Sequence, residues 1–166
     1  EKIAERIDAN LLDVSIQNLN DLPKKTFEKK VINISKKTQG QLIIKEYPTA
    51  SAHAGHFKTL LNELALKKSF KPDIIFIDYL NICASSRYRA GSNVNSYSYI
   101  KAIAEELRGL AVETNVPVVS ATQTTRSGYG SSDVDLTDTS ESFGLPATAD
   151  LMFALISTED LEGLNQ

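Results

Sequence analysis

The chain has 166 residues, enough for one compact domain, and its 42% apolar and 23% charged side chains are unlike a disordered segment. No stretch approaches the roughly 18 apolar residues that a membrane helix needs. A net charge of −3 excludes nucleic-acid binding by bulk electrostatics, so any such contact must be local.

The opening residues place Ile3, Ile7 and Leu11 four apart, a helix already under way with no N-cap before it. The first residue is Glu1 and the only methionine is Met152, so a trimmed leader or an internal piece of a longer protein is expected. A second helix is predicted over 24–37, with Phe27, Val31 and Ile34 inward and its lysine pairs outward. Those lysines help to give residues 1–71 13 basic against 8 acidic side chains, whereas residues 72–166 carry 5 against 13. Such lysine doublets are expected to form the wet face of an amphipathic helix. Leu42-Ile43-Ile44 reads as a short buried strand before Pro48. Phe57, Leu60, Leu61 and Leu64 follow the spacing i, i+3, i+4, i+7, which predicts an amphipathic helix over 54–67.

Ile74-Ile75-Phe76-Ile77 is an unbroken apolar run ending on Asp78, as expected of a strand covered on both faces. Cys83, the one cysteine, reads as a small core residue, and a chain with no internal disulfide suits a reducing, cytoplasmic setting. Residues 85–97 are polar and loop-like. A long helix is predicted over 98–114, with Ile100, Ile103, Ala104, Leu107, Leu110 and Ala111 on one stripe. Pro117-Val118-Val119 begins a strand that ends near Thr122-Gln123, and 124–141 again reads as loop. Leu151–Ile156 is a last apolar strand, and 159–164 begins another helix. Strands alternating with helices in this order predict a single α/β domain over 1–166, with a mostly parallel sheet flanked by helices.

In such sheets ligands gather beyond the carboxyl ends of the strands. Asp78 and Gln123 stand there on successive strands, each followed by a long polar loop. A carboxylate with a dry wall behind it suits Mg²⁺ beside a nucleotide, and an amide can hold a phosphate or a water without adding charge. For either residue alone, a turn cap or a surface position explains it as well; the pair with both loops is more telling. His53 and His56 lack a third ligand nearby, and Ser120 and Ser140 lack a His-Asp partnership. Tyr88, Tyr97 and Tyr99 suit packing of the first loop onto its domain better than base stacking.

PDIIFIDYLNI resembles the Walker B segment of the DnaB-type replicative helicases, and PVVSATQTTR resembles their sensor strand with its glutamine. SESFGLPATADLMFAL is similar to the motif after their second DNA-binding loop. RIDANLLDVS, LLNELALKK, KAIAEELRGLAVET and GLPATAD are similar to stretches of the helicases of T-even-type phages, so the resemblance covers most of the chain. It implies a RecA-like motor domain. Missing from it is the phosphate cradle: none of the eight glycines is followed by Lys, so no Gly-Lys-Ser/Thr exists. The family's P-loop and catalytic glutamate precede the segment matching residues 1–15, and its arginine finger follows residue 166. The chain is therefore expected to be the middle of that motor and inactive alone.

By the resemblance, Asp78 is the Walker B aspartate, a catalytic and cofactor-binding residue holding Mg²⁺ through water, and Gln123 is the catalytic sensor of the γ-phosphate. Residues 85–97 are the first DNA loop, with Arg87 and Arg89 its phosphate contacts. Residues 124–143 are the second, with Arg126, Glu141 and Ser142 as DNA-binding residues. Ser140 departs from the pattern, standing where bacterial members have arginine. The implied cofactors are ATP or another NTP with Mg²⁺. The implied partners are single-stranded DNA, five further copies in a hexamer, a primase and a helicase loader, with no membrane, in the host cytoplasm if phage-encoded. Two alternatives stay open: another RecA-like ATPase of recombinase type, and a non-catalytic α/β ligand-binding module.

Overall fold

The computed structural model describes residues 2–88, 93–123 and 144–155. Its contacts divide the chain into two compact units, Glu1–Glu46 and Tyr47–Gln166. No helix among the described residues is long and apolar enough to cross a membrane.

The first unit is helical: α1 (Lys2–Leu12), α2 (Ile16–Leu19) and α3 (Lys24–Lys37). Helix α1 stops where Asp13 turns to a positive φ of 52°, and Ser15 caps α2 by accepting from the Asn18 N–H at 3.2 Å. Ala9 and Leu12 are its buried residues. The bounds of α3 match the sequence reading, but its orientation does not. Phe27 and Val31 are exposed, whereas Lys30 is half-buried and donates to the Leu12 carbonyl at 2.5 Å. Lys30 lies three residues from Phe27 and four from Ile34, so it shares their arc, and its long stem lets the ammonium reach an unpaired carbonyl at the end of α1. The expected strand Leu42–Ile44 is also absent: these residues pair with no described strand, and Leu42 and Ile44 are exposed.

In the second unit, α4 (Ala54–Lys68) leads to β1 (Ile75–Ile77), a 3-10 turn (Leu80–Ile82), α5 (Ser96–Thr114), β2 (Val118–Ser120) and α6 (Gly144–Thr148). The stripe read from the sequence builds the core. Ile100, Ile103 and Leu107 of α5 are buried with Leu80, Cys83 and Leu145, and Phe57 of α4, Ile77 and Tyr99 pack on them. Ile103 is 1% exposed and lies at the centre. Asn95 caps the start of α5, accepting from Ser98 N–H at 2.8 Å; Asn115 ends it in the left-handed conformation that asparagine tolerates.

Strands β1 and β2 are parallel, with Ile75 opposite Val118, Phe76 opposite Val119 and Ile77 opposite Ser120. Their connection through α5 is the crossover that a parallel pair requires. The expectation that β1 is covered on both faces is corrected. Ile75 and Ile77 are half-buried, but Phe76 is 69% and Val119 44% exposed, so the opposite face carries no cover among the described residues. Period-2 geometry places those two side chains together on that bare face. The apolar stretch from Leu151 is likewise not a strand over 151–155, and Leu151, Phe153 and Leu155 are exposed. The helix expected over 159–164 lies outside the described residues, while α6 occupies a segment for which no helix was expected.

Candidate active site

The register of the parallel pair brings the two sequence candidates to one edge. Asp78 directly follows Ile77, and Gln123 follows Ser120 by three residues, both beyond the carboxyl ends. Three bonds tie the strand ends together. Ser120 Oγ donates to the Ile77 carbonyl at 2.8 Å, Leu80 N–H donates to the Ala121 carbonyl at 3.2 Å, and Thr122 Oγ1 donates to Asn81 Oδ1 at 2.9 Å. The sequence reading missed Asn81; a polar residue four positions beyond the end of β1 and two beyond the end of β2 was its only signal. The Asp78–Tyr79 peptide bond is cis. Asp78 and Gln123 are exposed, and among the described residues neither side chain is held by a hydrogen bond or an ion pair. An unpaired carboxylate at a strand end, with an uncharged amide on the neighbouring strand, fits an Mg²⁺–phosphate group, a hard cation taking oxygen ligands.

Beside this edge the first loop is fastened to α5 by a cluster that sequence reasoning also missed. The Glu106 carboxylate accepts from Ser85 Oγ at 2.5 Å, from Ser86 Oγ at 2.9 Å, and from Ser86 N–H at 3.0 Å to each of its oxygens. Ser85 is buried, and its N–H donates to the Tyr99 hydroxyl at 3.2 Å. Tyr88 stacks obliquely near Tyr99, with ring centroids 6.1 Å apart. Tyr99 therefore packs the loop onto its domain. Burial pushes the Glu106 carboxyl up, but the Ser85 and Ser86 hydroxyls and the backbone N–H groups of Ser86 and Arg87 outweigh it and hold the group below its ordinary value.

A depressed carboxylate stabilises the fold above its unfolded pKa and loses that contribution as pH falls through the lower folded value. Glu106→Ala should therefore cost about 2 kcal/mol at neutral pH, the scale of hydrogen bonds to a charged acceptor. Urea unfolding of both proteins checks this. The difference should shrink below the usual glutamate range, and a gap that persists undiminished to pH 2 would show that packing, not charge, holds the loop.

Arg87 is placed on that loop base, where its guanidinium pairs with Glu105 of α5, and its own charged form is reinforced chiefly by that bond. Arg89, Arg126, Glu141 and Ser142 lie outside the described residues. After the segment expected to form the second loop, Arg108 donates to the Thr148 carbonyl at 2.7 Å and to Asp150 Oδ1 at 2.8 Å, fastening α6 and the second residue after it to α5. Glu105, Glu106 and Arg108 thus make α5 the common anchor of both loop bases.

The remaining candidates have structural roles. His53 caps α4: its Nδ1 accepts from Gly55 N–H at 3.0 Å, while His56 Nδ1 accepts from His53 N–H at 3.2 Å. Cys83 is buried in the core, and burial pushes its thiol up.

The DnaB-like helicase C terminal domain family matches residues 1–163. The chain is 50% identical over 169 aligned residues to the DnaB-like replicative helicase of Enterobacteria phage T4, covering 100% of this chain and 35% of that protein. It is 41% identical over 61 residues to a probable plasmid replicative DNA helicase of Chlamydia muridarum (strain MoPn / Nigg), covering 37% of this chain and 12% of that one. Two solved structures share the fold at 21% identity over 88% of this chain: the ATPase domain of G40P, TM-score 0.68 and 51% of its chain, and a DnaB-like replicative helicase studied with its primase interactions, TM-score 0.64 and 35% of its chain. The fold is thus the RecA-like α/β arrangement, and the chain spans about a third of the length of its phage T4 relative. With the family matched along 163 of its 166 residues, the chain belongs to the DnaB-like helicase C-terminal domain family.

Proposed function

We propose that this chain is the central part of the motor of a replicative DNA helicase, which couples NTP hydrolysis to movement along single-stranded DNA and unwinding of the duplex. The observation that supports the reading is the parallel register that carries Asp78 and Gln123 beyond the carboxyl ends of neighbouring strands, the edge where ligands gather in such sheets. Asp78 would hold Mg²⁺, through water, and that ion would offset charge on the nucleotide's phosphates. Gln123 hydrogen-bonds the terminal phosphate or the attacking water without adding negative charge there. Arg87 and Arg89, with Arg126, Glu141 and Ser142, are the residues that this reading assigns to binding single-stranded DNA. The working assembly is a ring of six copies served by a primase and a loader in the cytoplasm, the host's if the protein is phage-encoded.

The family match extends over the segments on either side of the strand ends, which supports a helicase over a recombinase-type ATPase or a ligand-binding module. The test is NTP hydrolysis by the intact protein with and without single-stranded DNA, together with unwinding of a forked duplex. Stimulation by the strand with unwinding is expected; hydrolysis indifferent to DNA, or none, rejects the reading.

The isolated 166-residue chain should show no measurable turnover, because it holds no Gly-Lys-Ser/Thr cradle for the phosphates. Sustained Mg²⁺-dependent hydrolysis by this chain, abolished by Asp78→Ala, would contradict that.

A further inference from the structure

The first loop presents its arginine in two separable layers. The backbone before Arg87 is fixed: Ser85 and Ser86 are bound to Glu106 by four hydrogen bonds, and Ser85 N–H is bound to Tyr99. Among the described residues the Arg87 side chain is held by Glu105 alone, in a pair whose members are 51% and 36% exposed. An exposed pair of this kind is weak and screened by salt, whereas a phosphate offers the same guanidinium a strong, bidentate acceptor. Glu105 also has a second cation within reach, Lys101, one turn earlier on α5 at 3.9 Å. Losing Arg87 would therefore not strand its charge.

We propose that Glu105 is a displaceable counter-ion: it parks Arg87 over α5 and yields it to a DNA phosphate, while Glu106 keeps the loop backbone still during the exchange. The inference rests on the proposed function and adds a regulatory element to it. A parked arginine lowers the net cost of letting a phosphate go, because the guanidinium leaves one carboxylate-like partner for another. A motor that must grip and release a strand repeatedly gains faster release from such an arrangement. Glu105 is thus a positioning residue, acting on DNA only through Arg87.

The test is a double-mutant cycle on the intact protein, reading single-stranded DNA affinity across a salt titration. Glu105→Gln should tighten binding by about two- to fivefold at low salt, the loss of one exposed ion pair. It should also steepen the dependence of log K on log salt by up to about 0.7, since Arg87 then releases a counterion without baring a carboxylate. Glu105→Ala should act like Glu105→Gln, which separates charge from packing. In an Arg87→Ala background both effects should vanish. Equal tightening with and without Arg87 would reduce Glu105 to a general repulsive charge and overturn the proposal, as would unchanged or weakened binding in Glu105→Gln. If those results come from a protein whose hydrolysis is still stimulated by single-stranded DNA, only this inference falls. If the wild type neither binds nor is stimulated by the strand, the proposed function falls and this inference with it.

Discussion

Asp78→Ala in the intact protein should lower NTP turnover by about a hundredfold or more, since a metal contact on a reacting phosphate is worth several kcal/mol and 1.36 kcal/mol is a factor of ten. Asp78→Asn should fall nearly as far, because the amide keeps the shape and loses the charge that a hard cation requires. Neither variant should unfold. Asp78 is exposed and bound to no other described side chain, so the thermal midpoint should stay within the small range of surface substitutions. The checks are steady-state hydrolysis over a range of Mg²⁺ concentrations and a thermal melt of each variant. If Asp78→Asn retained most of the wild-type rate at low Mg²⁺, the carboxylate would not be the metal ligand, and the strand edge would need another owner for that role.

How much of this was legible in the sequence depends on the range of the interaction. The stripe Ile100, Ile103, Leu107 and Leu110 is a local pattern, and α5 buries all four of these residues. Phe57, Leu60, Leu61 and Leu64 are all half-buried on α4 for the same reason. Both strands and their parallel relation followed from apolar runs separated by a helix, and so did the placing of Asp78 and Gln123 beyond their ends. Cover over a strand face is not local. Phe76 reads as core because its neighbours are apolar, yet whether anything lies over it depends on elements distant in sequence. The same limit applies to Leu42–Ile44 and to Leu151–Leu155, apolar runs that the described residues leave without a partner strand.

The loop anchors were hidden for a related reason. Ser85 and Ser86 meet Glu106 across 21 and 20 residues, and Arg87 meets Glu105 across 18. No hydrophobic period marks such pairs. A Glu-Glu doublet beside the apolar stripe of a helix, with Ser-Ser-Arg just before that helix, is at most a hint of a polar clamp. Lys30 makes the same point in the first unit: a lysine among lysines reads as solvated, and only the neighbouring carbonyl of Leu12 explains why it turns inward.

Gln123→Ala in the intact protein should leave nucleotide affinity near its wild-type value but abolish the stimulation of hydrolysis by DNA, and unwinding with it. The expectation follows from where the residue sits between fixed points. Just before it, Thr122 is bound to Asn81 and Ala121 to Leu80, so the chain is pinned to the strand that carries Asp78. Beyond it run residues 124–143, which include Arg126 and Glu141. The chain is pinned again at Thr148 and Asp150, which Arg108 holds to α5. Gln123 is the residue between the first pin and residues 124–143, so a force on its amide would pass to that segment rather than back into the pinned sheet. A hydrogen bond from that amide to a charged phosphate, made before hydrolysis and lost after it, is worth about 1.5–3 kcal/mol, or about ten- to a hundredfold in the rate that DNA stimulates. That is also enough to bias a loop between two positions, provided the bond exists in only one of them. Asp78→Ala should differ in kind, with hydrolysis lost whether or not DNA is present. The measurements are nucleotide affinity, hydrolysis with and without single-stranded DNA, and fork unwinding for each variant. Full DNA stimulation in Gln123→Ala would show that the signal reaches the loop by another route, with the Asn81–Thr122 bridge the next pair to remove.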